Sequence, residues 1–204
     1  MRGRFITLEG IDGAGKSTHL RWIARFLKDR GVRLKLTREP GGSAVGEKLR
    51  RLLLGAQQRP HPETETLLVF AARREHLDKV IIPALDAGLW VLCDRFTDAT
   101  YAYQAAGSGV NWKKVGVLEQ WVQEGLQPDL TILFDVIPAV GRRRSVRQKR
   151  PDRFEREKES YYRRVRNAYL KRARADPRRV RVIDANNSIS TVHKQLEKIL
   201  ISYC

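Results

Sequence analysis

Cysteine is almost missing from this chain of 204 residues, and long apolar runs are missing altogether. The two cysteines, Cys93 and Cys204, form neither a disulfide framework nor a metal-binding spacing. No apolar stretch approaches the ~20 residues that a membrane-spanning helix needs. The first residues, MRGRFITLEG, contain no apolar signal region and no small-residue cleavage site. These absences favour a protein of the reducing cytoplasm that has no membrane partner.

Acidic residues are scarce relative to basic ones. The chain has 23 Asp and Glu against 40 Lys and Arg, which gives a formal net charge of +17. Most of the excess lies between Arg142 and Arg181, where 18 basic residues accompany 5 acidic ones. Such a block indicates a polyanionic partner, either a nucleic acid or the phosphates of a nucleotide, or else a solvated helix face with no partner.

Strand-like and helix-like segments alternate along the chain. The sequence predicts strands over 4–9, 34–37, 89–93, 130–136 and 180–183, and helices over 17–30, 47–54 and 63–86, the last interrupted at Pro83. The apolar runs LWVLC and LTILFDV are typical of strands that helices cover on both faces of a parallel sheet. We therefore predict right-handed βαβ units and a doubly wound α/β fold, in a single domain over 1–204.

A glycine-rich G-x-x-x-x-G-K-S pattern lies between the first predicted strand and the first predicted helix. Glycines let backbone N–H groups wrap a phosphate, and the following helix adds the positive end of its dipole. In this pattern Lys16 reaches the β- and γ-phosphates, and the Ser17 hydroxyl ligates Mg²⁺. The sequence therefore predicts a nucleoside-triphosphate site formed by Gly10, Ile11, Asp12, Gly13, Ala14, Gly15, Lys16, Ser17 and Thr18.

A second motif, Asp94-Arg95-Phe96, follows the apolar strand LWVLC and narrows the class of enzyme. Open α/β sheets bind their ligands at the carboxyl edge, where an aspartate can organise Mg²⁺ and an arginine fork matches a phosphate dianion. In isolation, the pair would more often be a strand-end salt bridge. The N-K-x-D segment with which GTPases read guanine is missing, and the chain is short for a motor or a helicase.

Several sequence blocks, taken together and in this order, resemble the bacterial thymidylate (dTMP) kinase family. They are FITLEGIDGAGKST, TREPGG at 37–42, AARREHL at 71–77, CDRF at 93–96, Tyr103-Gln104 and Pro128-Asp129-Leu130. The resemblance spans about 5–184 and implies the P-loop nucleoside monophosphate kinase fold, with a five-stranded parallel sheet flanked by helices and a mobile lid. It also implies a homodimer that transfers the γ-phosphate of ATP to dTMP with Mg²⁺, giving ADP and dTDP for dTTP synthesis.

The same resemblance implies roles for residues around the reacting phosphates. Asp12 faces the acceptor's sugar and phosphate beside Lys16, while Arg38 and Arg95 clamp the acceptor phosphate. This agrees with the need for cations between two phosphates that must approach each other. A plainer reading pairs Arg38 with its neighbour Glu39. The residues implied near the metal are Ser17, Glu39 and Asp94.

Recognition of the nucleoside falls, by resemblance, to Arg73 for thymine, Tyr103 for deoxyribose and Gln104 for the base. Tyr103 as a core residue and Arg73 as a solvated helix position are the plainer alternatives. The chain departs from the family at position 69, a valine where an aromatic ring usually stacks on thymine, with Phe70 next to it. Either Arg73 reads the base, or the register is F-x-x-x-R and Arg74 does.

The lid is expected over 141–153. Some family members carry a catalytic arginine in the P-loop directly after the aspartate, whereas this chain has Gly13 there and resembles the type that supplies the arginine from the lid. Arg153 is expected to fix the base of the lid. The catalytic candidates in this segment are Arg144, Arg147 and Arg150.

Two other readings of the sequence remain open. A nucleic-acid-binding protein could use the basic block, although the block offers few aromatic residues for base stacking, so nucleic acid is expected as a weak, non-specific partner at most. A kinase for another nucleoside monophosphate, or for a deoxynucleoside, is the alternative among enzymes. A deoxynucleoside kinase would not need both Arg38 and Arg95, because its acceptor has no phosphate.

Overall fold

The computed structural model describes residues 2–55, 60–146 and 158–203, and a five-stranded parallel sheet lies at its centre. The strands are β1 (Phe5–Glu9), β2 (Leu34–Arg38), β3 (Trp90–Asp94), β4 (Leu130–Asp135) and β5 (Val180–Asp184). Their order across the sheet is β2-β3-β1-β4-β5, and all neighbours run parallel. The predicted fold, a parallel sheet flanked by helices, is therefore confirmed.

Helices connect the strands and cover both faces of the sheet. They are α1 (Lys16–Lys28), α2 (Ala44–Gly55), α3 (Pro62–His76), α4 (Ile82–Asp86), α5 (Thr97–Thr100), α6 (Trp112–Gln123), α7 (Pro138–Val146), α8 (Glu159–Ala175) and α9 (Ile189–Ile201). A π-helical turn, Leu77–Ile81, joins α3 to α4, and a longer π-helical segment, Tyr101–Gly107, continues α5. The predicted helix over 63–86 is thus three segments. Among the described residues, no helix has the length and apolarity that crossing a membrane requires.

Alternate residues of the central strand β1 point into the two layers of the core. Ile6 and Leu8 pack with α1, α8 and α9 on one face, whereas Phe5 packs with the α3, α4 and α6 layer on the other. Every residue of β1 is buried, as the apolar pattern predicts for a central parallel strand. The edge strands β2 and β5 are more exposed.

The carboxyl ends of the strands bring the predicted site residues to one edge. The P-loop follows β1, Glu39-Pro40 follows β2, whose last residue is Arg38, and Arg95 follows β3. The Glu39–Pro40 peptide bond is cis. Register places Arg38 opposite Asp94, so the segments after β2 and β3 begin side by side.

Candidate active site

A cavity of about 700 Å³ opens at the carboxyl edge of the sheet. Its walls come from the segments after β1, β2, β3 and β5, joined by residues of α2, α3 and α7. Of the predicted site residues that the structure describes, Gly10, Ile11, Phe70 and Arg74 lie outside the walls. Those that line the cavity are Asp12, Gly13, Ala14, Gly15, Lys16, Ser17, Thr18, Arg38, Glu39, Arg73, Asp94, Arg95, Tyr103, Gln104 and Arg144.

The P-loop curls through left-handed backbone conformations that glycine adopts without strain. Gly10, Gly13 and Gly15 have φ angles of 138°, 76° and 87°. Lys16 begins α1 and folds back over the loop, where its Nζ donates to the carbonyl oxygens of Gly10 and Ile11 at 2.9 and 3.1 Å. Burial, and then the nearby charge of Arg95, lower the pKa of Lys16. The loop therefore presents a desolvated ammonium group close to its own backbone.

Arg95 joins the segment after β3 to the P-loop. Its Nη2 contacts Oδ1 of Asp12 at 2.6 Å, and its Nη1 donates to the Gly10 carbonyl oxygen at 3.0 Å. The guanidinium also lies 4.6 Å from the centre of the Tyr103 ring, whose hydroxyl donates to Oδ2 of Asp12. Burial by itself would raise the pKa of Asp12, but the charges of Arg95 and Lys16 hold it below its usual value. A fixed cation thus stands beside the P-loop carboxylate.

The backbone of Arg95 is strained. Its φ angle is 71°, in the left-handed region that a bulky residue rarely occupies. The Arg95 N–H donates to the Leu8 carbonyl oxygen at 2.9 Å, and the next N–H, of Phe96, donates to Glu9 at 2.7 Å. These two contacts with β1 hold the strained turn in place and aim the guanidinium at the P-loop.

Arg73 is buried in the wall of the cavity. Its Nε donates to Glu39 at 2.8 Å and its Nη2 to the Thr100 hydroxyl at 3.0 Å, while the rings of Phe70 and Phe96 each lie 4.8 Å from the guanidinium carbon. The third nitrogen, Nη1, is buried and finds no hydrogen-bond partner among the described residues. Arg73 therefore keeps one desolvated donor for a ligand.

Arg74, the alternative base reader, points away from the cavity. Its Nη1 donates to the Val122 carbonyl oxygen on α6 and to the exposed Glu124. The structure thus brings Arg73 to the site and leaves Arg74 outside it, with Val69 and Phe96 as apolar wall residues. Phe70 lies beneath Arg73 in the core.

Arg38 is half exposed at the mouth of the cavity. Its ion-pair partner is Glu47 of α2, at 3.0 Å, and not the neighbouring Glu39. A second cation of α2, Arg50, also lines the cavity and donates to the Pro40 carbonyl oxygen at 2.7 Å. Sequence reasoning missed Arg50, because its helical position carries no motif.

Two of the three predicted metal residues have groups suited to Mg²⁺. Oδ1 of Asp94 is buried and has no hydrogen-bond partner in the part of the chain that the structure describes, and Ser17 is exposed at the start of α1. Glu39 differs, because one of its oxygens pairs with Arg73 and the other with His76. The described residues include no group of three or more His, Cys, Asp or Glu that could hold a metal by themselves. Mg²⁺ commonly uses one or two protein oxygens plus phosphates and waters, so Ser17 and Asp94 fit such an ion.

Arg144, near the end of α7, lies at the cavity on the side of the segment that follows β5. Its Nη1 donates to the Ala185 carbonyl oxygen at 2.8 Å. The other candidates, Arg147 and Arg150, lie outside the described residues, as does Arg153. Gly141, the first residue of the predicted lid, lies on α7 and packs directly against the P-loop at Gly13.

Glu9 and Tyr169 form a buried contact that the sequence did not indicate. The Tyr169 hydroxyl donates to Glu9 at 2.8 Å, and Nη1 of Arg95 donates to the same hydroxyl at 3.2 Å. Burial, with a smaller contribution from the carboxylate of Asp98, raises the pKa of Glu9 to about 8. The only signal in the sequence is the position of Glu9 at the last place of β1, next to the P-loop.

Four arginines of the basic block make internal contacts. The side chains of Arg166, Arg172 and Arg179 contact Asp135 or Asp98 at 2.6 to 2.7 Å, and Arg164 donates to the carbonyl oxygens of Ala106 and Gly107. Arg164, Arg166 and Arg172 hold α8 against the rest of the molecule, and Arg179 anchors the start of β5. These four side chains of the described part of the block are therefore engaged within the molecule.

Comparisons with known proteins extend the resemblance over nearly the whole chain. A family model described as thymidylate kinase matches residues 8–196. A thymidylate kinase of Nitrosospira multiformis is 58% identical over 198 residues, which cover 97% of each chain. One of Nitrosomonas europaea is 58% identical over 199 residues, covering 98% of this chain and 93% of its own. The crystal structure of thymidylate kinase from Ehrlichia chaffeensis matches with a TM-score of 0.80 at 36% identity, covering 98% of this chain and 99% of its own.

Proposed function

Because this chain belongs to the thymidylate kinase family, which phosphorylates dTMP to dTDP with ATP, we propose that its cavity has a donor side and an acceptor side that meet at Arg95. The position of Arg95 is the observation that carries this division. Its guanidinium contacts the P-loop through Asp12 and Gly10, while its backbone follows β3 on the opposite wall. A cation at this place lies between two phosphates, where negative charge concentrates during transfer.

The donor side is the P-loop, where the backbone N–H groups and Lys16 bind the phosphates of ATP. Lys16 is held only by carbonyl oxygens in the described contacts, and the charged γ-phosphate is a stronger partner for an ammonium group. On the acceptor side, Arg95 and Arg38 bind the phosphate of dTMP, with Arg50 as a further cation. Asp12 holds Arg95 and faces the acceptor sugar.

The nucleoside of dTMP then lies against Arg73, Gln104 and Tyr103. The buried Nη1 of Arg73 supplies a donor for a thymine carbonyl oxygen. Tyr103, which stacks under Arg95, limits the space beside the sugar and so favours deoxyribose. Val69 and Phe96 provide the apolar walls for the base, and Phe70 supports Arg73 from below.

Ser17 and Asp94 are the residues that would hold Mg²⁺. When bound, the ion supplies neutralising charge to the phosphate oxygens and orients them. The contacts of Glu39 support a role in fixing Arg73 rather than in binding the metal. Arg144, Arg147 and Arg150 remain the candidates for a further cation from the lid.

In this proposal the chain forms a homodimer and acts in the cytoplasm, where ATP and dTMP are present. An exposed apolar surface supports the dimer: Trp121 is 75% exposed and Val117 66% exposed on α6, and Leu67 is 54% exposed on the neighbouring α3. Val117 and Trp121 lie four residues apart on α6, and large exposed apolar side chains on one helix face are typical of interfaces between proteins.

Two substitutions test the division of the cavity. Lys16→Ala is expected to abolish transfer while leaving dTMP binding, measured by calorimetry without ATP, within about threefold of wild type. Arg95→Ala is expected to weaken dTMP binding at least tenfold, since a lost charge-assisted contact costs about 1.5–3 kcal/mol.

Lys28→Ala, at the exposed end of α1, is the matched control for both substitutions. Acceptor use is then compared for dTMP, dUMP, dCMP, AMP and thymidine in a coupled assay. Near-normal turnover by Lys16→Ala would refute the donor site, and phosphorylation of thymidine as efficient as that of dTMP would refute the role of Arg95.

A further inference from the structure

Gln104 and Glu65 form a buried pair at the nucleoside side of the cavity. Gln104 lies in the segment Tyr101–Gly107 and is 4% exposed, while Glu65 lies in the first turn of α3 and is fully buried. The Nε2 group of Gln104 donates a 2.9 Å hydrogen bond to Oε1 of Glu65. Because Oε1 of Glu65 accepts this hydrogen bond, its partner is the NH₂ end of the amide and not the carbonyl end.

The contact consequently decides the orientation of the Gln104 amide. With Nε2 directed to Glu65, the carbonyl oxygen Oε1 is the end that can meet a base in the cavity that Gln104 lines. An amide with two neutral neighbours could turn over and offer either end. A carboxylate at position 65 removes that freedom.

We propose that Glu65 is a positioning residue that makes the cavity select bases carrying an N–H at ring position 3, thymine and uracil, against cytosine. The inference rests on the proposed role of Gln104 as a base reader. Thymine offers its N3–H as a donor, and Oε1 of Gln104 can accept it. Cytosine has an unprotonated N3, which is itself an acceptor, so two acceptors would face each other.

Arg73 supplies the second half of the same selection. Glu39 and Thr100 bind its Nε and Nη2, and its buried Nη1 remains a donor. Thymine presents the O4 acceptor beside N3–H, whereas cytosine presents an amino donor at position 4. Both contacts are therefore matched for thymine and both opposed for cytosine. Sites that leave buried polar groups unpaired reject a ligand more strongly than apolar pockets do.

The test compares kcat/KM for dTMP, dUMP and dCMP, with ATP as donor, in wild type and in Glu65→Gln. A neutral amide at position 65 can donate to Oε1 of Gln104 and let the Gln104 amide turn over. We expect the dTMP to dCMP ratio to fall at least about tenfold, with the change mainly in KM. The dTMP to dUMP ratio should stay within twofold, because these two bases share N3–H and O4.

Glu63→Gln is the matched control, since Glu63 lies two residues earlier on the same helix and pairs with Lys114 at the surface. It should leave both ratios unchanged. A purely structural role for Glu65 would lower kcat/KM equally for all three acceptors and leave both ratios intact, and that result would overturn the proposal.

Gln104→Ala distinguishes a failure of the base-reading role of Gln104 from a failure of the positioning role of Glu65. If it leaves the dTMP to dCMP ratio unchanged, Gln104 does not read the base and the proposed function fails at that residue. If it lowers the ratio while a folded Glu65→Gln does not, only the role of Glu65 is refuted.

Should Glu65→Gln fail to fold, Glu65→Asp replaces it: the shorter carboxylate should raise KM for dTMP at least about fivefold and keep the preference for dTMP over dCMP. An unchanged KM would then overturn the proposal.

Discussion

Single residues at this site depend on partners that are themselves buried and charged. Arg73 shows the pattern most clearly. Its Nε binds the buried carboxylate of Glu39, its Nη2 binds the hydroxyl of Thr100, and its Nη1 has no partner among the described residues. Burial by itself would raise the pKa of Glu39, but the charge of Arg73, together with His76, lowers it. Glu39 thus stays ionised and fixes the direction of the arginine. The proposed base reader, Arg73, and the side chain that holds it, Glu39, form one unit.

Arg73 and Arg74 offer a direct test of this arrangement. Arg73→Lys keeps a positive charge near Glu39 but loses the fork, so we expect KM for dTMP to rise at least tenfold, the loss of a charged hydrogen bond costing about 1.5–3 kcal/mol. Arg74→Lys should change KM less than threefold, because its ion pair with Glu124 is exposed. Steady-state kinetics at varied dTMP measures both. The opposite ranking would show that Arg74 reads the base.

Glu9 makes stability depend on pH in a defined direction. Its pKa of about 8 in the folded chain lies above the 4.5 expected when unfolded, so the folded state binds one more proton between these values. The free energy of unfolding should therefore fall as pH rises from about 5 to 8, by at most about 1.4 kcal/mol per pH unit from this group.

Urea denaturation at pH 6 and pH 8 measures this effect of Glu9. Glu9→Gln, which cannot ionise, should lose less stability over the interval than wild type does. Glu197→Gln, at an exposed position on α9, serves as the control and should behave like wild type. Equal pH dependence in wild type and Glu9→Gln would contradict the prediction.

Secondary-structure elements followed from the sequence where local pattern decides them. The five strands lie within two residues of their predicted bounds, because buried parallel strands are short apolar runs. The helix over 63–86 breaks at the turn Leu77–Ile81, just before Pro83, whose ring cannot fit the regular hydrogen-bond pattern of an α-helix. The loop after β1 and Arg95 could be placed at the carboxyl edge of the sheet from the sequence, because each lies within a contiguous motif. Contacts such as Glu9 with Tyr169, 160 residues apart, carry no local signal.

The lid predicted over 141–153 gives a prediction at the scale of an element: Arg144 lies on α7, and Arg147 and Arg150 lie outside the described residues. Among Arg144→Ala, Arg147→Ala and Arg150→Ala, at least one should lower kcat by two orders of magnitude or more with little change in dTMP affinity, as expected for a cation that acts in the transition state. Arg143→Ala, an exposed neighbour of Arg144 on α7, is the control. Normal turnover in all three variants would exclude the lid mechanism. DNA binding measured against salt would then show whether the basic block serves nucleic acid.

The chain combines a strong positive charge with exposed apolar side chains on α3 and α6. Mutual repulsion between copies of a chain with a net charge of +17 disfavours association, so a dimer needs an apolar interface to offset it. Trp121→Glu should convert the proposed homodimer to a monomer in light scattering at micromolar concentration. Ile201→Glu, exposed on α9 and remote from α6 in sequence, should not. A monomeric wild-type chain would refute the dimer.

The contact between Gly13 and Gly141 makes the residue type at each of these two positions depend on the other. A Cβ at position 13 would overlap the backbone of Gly141, and a Cβ at position 141 would lie 2.8 Å from the Asp12 carbonyl oxygen. An arginine transplanted into the P-loop at position 13 would thus have to push α7 away from the loop as well as adopt a φ of 76°. The two routes for supplying a catalytic cation, from the P-loop or from the segment that begins with α7, are sterically exclusive in this backbone. A lineage could exchange one for the other only by rebuilding both segments together.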